Sequence, residues 1–181
     1  MGTLFSEEIK DLILFFLAVF LHEGGHLLAI LFFGERPKEL RFRLGGAEIR
    51  LDNPYLSYRK EVLIHLAGPL AGAFTSGICI LILRTHPYPR LFYFLFCNLF
   101  LTALNALPIK GLDGYHALFS LLCIKKEEEE AKRILLPYHG AFSLILLFAG
   151  LFLLFSFSNP TLILFQILLT KKEKATKNLV A

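Results

Sequence analysis

The stretch FLAVFLHEGGHLLAILFFGE, residues 16–35, decides how the chain is read. It is long and apolar enough to cross a bilayer, yet it holds His22, Glu23 and His26, with Gly24 and Gly25 among them. A helix crosses the hydrocarbon core with about 20 mostly apolar residues. Each ionisable group at mid-depth costs about 2.5 kcal/mol or more. Side-chain packing offers nothing to offset three such groups in five positions; a metal ion does. On a helix, His22 and His26 stand at i and i+4, so both imidazoles leave one face a turn apart and can hold one ion. Glu23 is turned from His22 by about 100° and reaches a water at that ion rather than the ion itself. H-E-x-x-H is the zinc-hydrolase arrangement, two ligands and a general base on one helical turn. The paired glycines weaken the helix by up to about 1 kcal/mol each, and in return let a second helix or a substrate backbone come close.

The rest of the chain agrees. Of its 181 residues 55% are hydrophobic, and the mean hydropathy is +0.59. Surface-to-volume scaling leaves much of so short a chain exposed, so lipid is the solvent that accommodates this surface. Residues 7–11, EEIKD, mix charges and no small-residue cleavage site follows, so the first apolar run reads as a retained span. The formal net charge of +4 is unevenly placed. Basic residues gather in Glu35–Glu61, in Lys125–Arg133 and in the tail from Lys171, with few elsewhere. With spans alternating between these segments, the positive-inside bias makes their side cytoplasmic, leaving the N-terminus outside and the C-terminus inside. No basic patch interleaved with aromatics suggests a nucleic-acid partner. Cys79, Cys97 and Cys123 are scattered through apolar segments and read as small apolar fillers, not as a disulfide framework.

The expected fold class is an α-helical polytopic membrane protein of about four to five spans, in a single domain over 1–181. Residues 12–33 and 62–83 supply two spans, and 91–123 a third that is broken by NALPIKGLDG. The C-terminal region 134–170 supplies the remainder, interrupted at Asn159-Pro160, with 161–170 either crossing or re-entrant. Over 38–51, Leu40, Phe42 and Leu44 alternate with charged residues, as do Ala47, Ile49 and Leu51 beyond Gly45-Gly46. Period-two alternation about a Gly-Gly pair predicts a β-hairpin at the membrane surface. Its open edge either caps the bundle or pairs with an extended peptide. The run KKEEEEAKR, 125–133, reads as a solvated turn or helix start.

Two histidines leave a zinc ion short of a ligand, since a catalytic site takes three from the protein and keeps one position open. Asp113 is the candidate. It lies in the broken stretch, where Pro108 and Gly111 unwind the backbone, and irregular backbone at membrane depth faces protein or a wet cavity. Its spacing also suits a helix N-cap, and spacing alone leaves both readings open.

The order His22-Glu23-Gly24-Gly25-His26, then Ala67-Gly68-Pro69, then Asn105, Pro108 and Asp113-Gly114 resembles the site-2 protease family of intramembrane zinc metalloproteases. The resemblance covers about residues 10–125. It implies Zn2+ held by His22, His26 and Asp113, with Glu23 as the base, and Asn105 lining the cleft that holds substrate. Pro108, Gly45 and Gly46 are expected to help bind substrate, and His116 to stand behind the ligands. His65 is expected to be a hydrogen-bonded core histidine, and His86 and His139 interface residues. The compact chain, which lacks a PDZ domain, looks most like the sporulation branch, whose members process pro-sigma factors in bacterial cytoplasmic membranes. That implies a membrane-associated protein substrate, regulated intramembrane proteolysis and a membrane-embedded regulatory partner. Gly72 and Tyr115 depart from the family, which often has Asn and Gly there. Two rivals remain: a metalloprotease with its third ligand elsewhere, for which Asp113 is dispensable, and a non-proteolytic zinc-binding membrane protein or transporter, for which Glu23 is dispensable.

Overall fold

The computed structural model describes residues 2–43, 46–51 and 56–180. Helix α1, Gly2–Phe32, buries one narrow stripe. Ala18, His22, His26 and Ile30, each four residues from the last, are all under one-tenth exposed, whereas Phe20, Leu28 and Phe32 on other faces are more than two-thirds exposed. Polar side chains inside and large apolar ones outside are the reverse of a soluble helix, and fit a lipid surround.

Strands β1, Pro37–Arg43, and β2, Gly46–Leu51, pair antiparallel. The register sets Leu40 opposite Ile49 and Phe42 opposite Ala47; the alternate pairs are Glu39 with Arg50 and Arg41 with Glu48. Apolar pairs therefore alternate with pairs of opposite charge, the pattern that favours this register over a one-residue slip. Residues 44 and 45, where the Gly-Gly turn was expected to begin, lie outside the described residues.

Helix α2, Tyr58–Thr85, is the central element and packs against α1, α3 and α4. Its buried stripe is Ile64, Gly68, Gly72, Ser76 and Cys79, nearly all small, so its neighbours approach its backbone closely. A β-carbon on Gly25 of α1 would lie 2.6 Å from the Ala67 carbonyl oxygen of α2. One on Gly24 would meet nothing within 4 Å. The two glycines thus differ: Gly25 sets the α1–α2 distance, and Gly24 leaves open space.

Helix α3, Pro89–Asn105, opens with proline at its first position, where the missing N–H is harmless. Helix α4 is Asp113–Cys123, so the apolar stretch 91–123 divides into two helices around a short loop. Helix α5, Glu128–Phe157, starts with Glu128, Glu129 and Glu130 in its first turn, favourable at the positive end of a helix. The charge run therefore becomes a helix start. Helix α6 is Thr161–Val180 and runs beyond the apolar 161–170 into the charged tail. Among the described residues three helical segments are long and apolar enough to cross a membrane, Glu7–Phe32, Tyr58–Thr85 and Glu128–Phe157, fewer than the four to five spans expected.

Two apolar clusters flank the middle of the molecule. Ala18, Cys79, Phe94 and Cys97 join α1, α2 and α3; Ile109, Leu112, Leu146 and Leu169 join the α3–α4 loop to α5 and α6. The three cysteines are free and buried, as expected of fillers.

Candidate metal centre

Asp113 is the first residue of α4, and the cap position belongs to Leu112. The N-cap reading therefore does not apply, and the Asp113 carboxylate turns to α1. Its Oδ2 lies 3.0 Å from His22 Nε2 and 3.2 Å from His26 Nε2. The three ligand-type atoms all lie within 4.8 Å of one another. Zinc bonds near 2 Å set tetrahedral ligands about 3.3 Å apart, so these separations suit one ion.

The tautomer of His26 agrees. Its Nδ1 is 2.7 Å from the Ile64 carbonyl oxygen, which can only accept, so Nδ1 carries the proton and donates. The Nε2 of a neutral ring then presents a lone pair. That nitrogen faces a carboxylate oxygen at 3.2 Å, a separation that either a shared proton or a metal ion can bridge. His22 is buried among packed atoms, its Nδ1 without a hydrogen-bond partner among the described residues, and its ring meets that of His26 edge-on at 5.1 Å. Two imidazoles and one carboxylate form a donor set suited to a catalytic zinc ion with a position left over.

Gly68 supplies the space. A β-carbon there would lie 2.1 Å from His26 Nε2 and 2.8 Å from His22 Nε2, inside the cradle itself. The Ala-Gly-Pro motif is thus explained by its middle residue, a role that spacing along the chain could not reveal. Gly114 is equally constrained: a β-carbon would lie 2.1 Å from the Ala106 carbonyl oxygen, so only glycine lets α4 start so close to the end of α3. Gly111, with φ of 91°, makes the turn before it.

The other expected residues are placed less uniformly. Glu23 follows His22 on α1 and is half-buried. Asn105 ends α3 and its side-chain amide donates to the Leu101 carbonyl oxygen at 3.0 Å, back onto its own helix. Pro108 lies half-buried in the loop. Gly46 opens β2 opposite Arg43, while Gly45 is outside the described residues. His116 stacks on His65, with centroids 5.0 Å apart and an interplanar angle of 22°. His86 is exposed and stacks on Tyr88.

One histidine was misjudged from sequence. His65 is not a core residue: its side chain is 31% exposed and its Nδ1 lies 3.9 Å from Asp113 Oδ1. His139, on α5, is half-buried. Its Nδ1 accepts the Lys110 backbone N–H at 3.2 Å, and its ring meets the edge of Tyr115, tying α5 to the loop that carries Asp113. A histidine one turn before Gly68 was the available signal for His65. No local signal marked His139, because its partner is a backbone group 29 positions away.

A helical chain with apolar outer faces and a largely buried His-His-Asp set on its first and fourth helices has the character of a membrane protein with a group that could hold a metal ion. Comparison with known proteins gives it relatives. The model of peptidase family M50 matches residues 84–147, which include Asn105, Pro108 and Asp113. A zinc metalloprotease of Methanocaldococcus jannaschii is 29% identical over 145 residues, 77% of this chain and 42% of that protein. Stage IV sporulation protein FB of Bacillus subtilis is 27% identical over 149 residues, 79% of this chain and 51% of that protein. The chain thus spans about half the length of these curated relatives, or less. A solved structure, the site-2 protease of Methanocaldococcus jannaschii, superposes with a TM-score of 0.64 at 26% identity, covering 87% of this chain and 72% of that one. The resemblance carried by the three motifs is borne out: the chain has an M50 region and the fold of a site-2 protease.

Proposed function

We propose that this chain is a membrane-embedded zinc metalloprotease that hydrolyses peptide bonds of a membrane-associated protein substrate. The observation that carries the reading is the convergence of His22 Nε2 and His26 Nε2 on one oxygen of Asp113. Bound there, a zinc ion supplies Lewis acidity and makes a water acidic near neutral pH. Glu23, next to His22 on α1, would serve as the base that accepts a proton from the attacking water and returns it to the leaving amine. The open space at Gly24, one residue on, admits a substrate backbone beside Glu23. A helical substrate must unwind to present its carbonyl, and the pairing edge of β1–β2, with Gly45 and Gly46 at its turn, is the element proposed to hold it extended. Asn105 and Pro108 complete the cleft wall.

The resemblance to the sporulation branch supports a pro-sigma factor or another single-pass protein as substrate, and a regulator within the same membrane. The distribution of basic residues supports an orientation with the N-terminus outside, and the resemblance to the sporulation branch supports a bacterial cytoplasmic membrane. The test is co-expression with candidate single-pass and pro-sigma substrates, comparing wild type with E23Q and measuring bound zinc in both. Cleavage lost with zinc retained establishes a zinc peptidase with Glu23 as its base. Processing unchanged by E23Q overturns the reading and favours a transporter or binding protein.

A further inference from the structure

The Asp113 carboxylate has two oxygens, and the structure gives them different neighbours. Oδ2 faces His22 and His26 at 3.0 and 3.2 Å; Oδ1 faces His65 Nδ1 at 3.9 Å. His65 comes from α2, three residues before Gly68, so one turn of that helix supplies both the open cradle and the group behind the aspartate. The His65 ring is held in plane by His116, stacked at 5.0 Å. His116 lies three residues after Asp113, on the same face of α4. The three residues close a circuit: α4 carries Asp113 and the stacking ring of His116, and α2 carries the His65 ring that bridges them.

Oxygen ligands are aimed by what their other lone pairs meet, and loss of such a partner typically weakens metal binding by about 10- to 100-fold. An aspartate with nothing on its second oxygen can swing and offer both oxygens to one ion. We infer that His65 is a positioning residue that holds Oδ1 of Asp113, so that Asp113 presents Oδ2 alone to the metal; the His116 stack supports the His65 ring without being needed for the contact. At 3.9 Å the contact is electrostatic rather than a hydrogen bond, and contacts of this kind tighten when a site is loaded. The inference rests on the metal-site reading above and assigns His116 an indirect part in it.

The donor and the stack can be removed separately. H65F keeps an aromatic ring on His116 and loses the Nδ1 donor; H65N keeps a donor near the Nδ1 position and loses the ring. Zinc affinity of the full chain in detergent, by competition with a chromophoric chelator, is expected to fall about 10- to 100-fold for H65F and to stay within about threefold of wild type for H65N. Cobalt substitution gives a second reading. H65F is expected to show weaker visible d–d absorption, as the freed Oδ1 joins the ion and raises its coordination number, while H65N keeps the wild-type spectrum. Equal affinity and equal spectra for H65F and wild type would overturn the inference and leave the metal site standing. So would an H65N as impaired as H65F, which would assign His65 to packing. A wild-type chain that binds no zinc takes down the metal reading and this inference together. Unfolding temperatures of the metal-free variants, expected to match wild type, separate loss of ligand geometry from loss of fold.

Discussion

Gly68 and His26 face each other across the α1–α2 contact so closely that a β-carbon on the glycine would lie 2.1 Å from the imidazole Nε2. The hydrogen at Gly68 is therefore part of the metal cradle. Gly68→Ala sets a methyl group against His26 Nε2 and His22 Nε2, yet alanine favours a helix interior over glycine by about 1 kcal/mol. Zinc content of the purified variant is expected to fall to near zero while the helical circular-dichroism signal persists. Full zinc occupancy in Gly68→Ala would mean that α1 and α2 separate more readily than their packing suggests.

Gly24 and Gly25 are neighbours in sequence with opposite surroundings. Gly25→Ala forces a β-carbon against the Ala67 backbone, and overpacking of this kind costs about 1–3 kcal/mol. Gly24→Ala meets nothing within 4 Å and gains helix propensity, so its stability is expected to be unchanged or raised by up to about 1 kcal/mol. Thermal unfolding in detergent measures both. If Gly24 opens the substrate path, its alanine variant will lose cleavage rate without losing stability or zinc.

Asp113→Asn keeps the shape of the side chain and removes its charge. Where Asp113 is a ligand, zinc affinity falls by at least about 10-fold, the size expected even for an outer-shell partner. An unchanged affinity would place the third ligand elsewhere, as in a different class of membrane metalloprotease.

His139→Ala removes the acceptor for the Lys110 N–H, and loss of an intramolecular hydrogen bond of this part-buried kind costs about 0.5–1.5 kcal/mol. Because the loop from Lys110 leads directly into Asp113, the variant is expected to lose both unfolding temperature and zinc affinity, with His139→Gln recovering part of each. Loss of stability alone, with zinc affinity intact, would confine His139 to packing.

What the sequence made legible was local in character. His22, Glu23 and His26 show themselves because an apolar run has no other use for three ionisable groups, and their spacing matches one helical turn. Asp113 stood out as a second carboxylate in an apolar stretch, but whether it capped a helix or turned to α1 depended on where α4 began. Gly68 was visible only as a member of a motif, since its role is to leave room for side chains from another helix. His65 and His139 were read as ordinary because their partners are remote in the chain: an Oδ1 on α4 and a backbone N–H in the loop. The extent of α6 was hidden for a different reason. Its apolar segment ends near Lys171, yet the helix continues through charged residues whose own helix propensity is good.

His22 and Asp113 meet although 91 positions separate them. During synthesis the histidine pair therefore enters the bilayer long before its carboxylate exists outside the ribosome. A nascent chain carrying only α1 to α3 has His22, Glu23 and His26 but not Asp113. The three-residue group closes only when α4 packs against α2, so its formation depends on the assembly of the helices that build it.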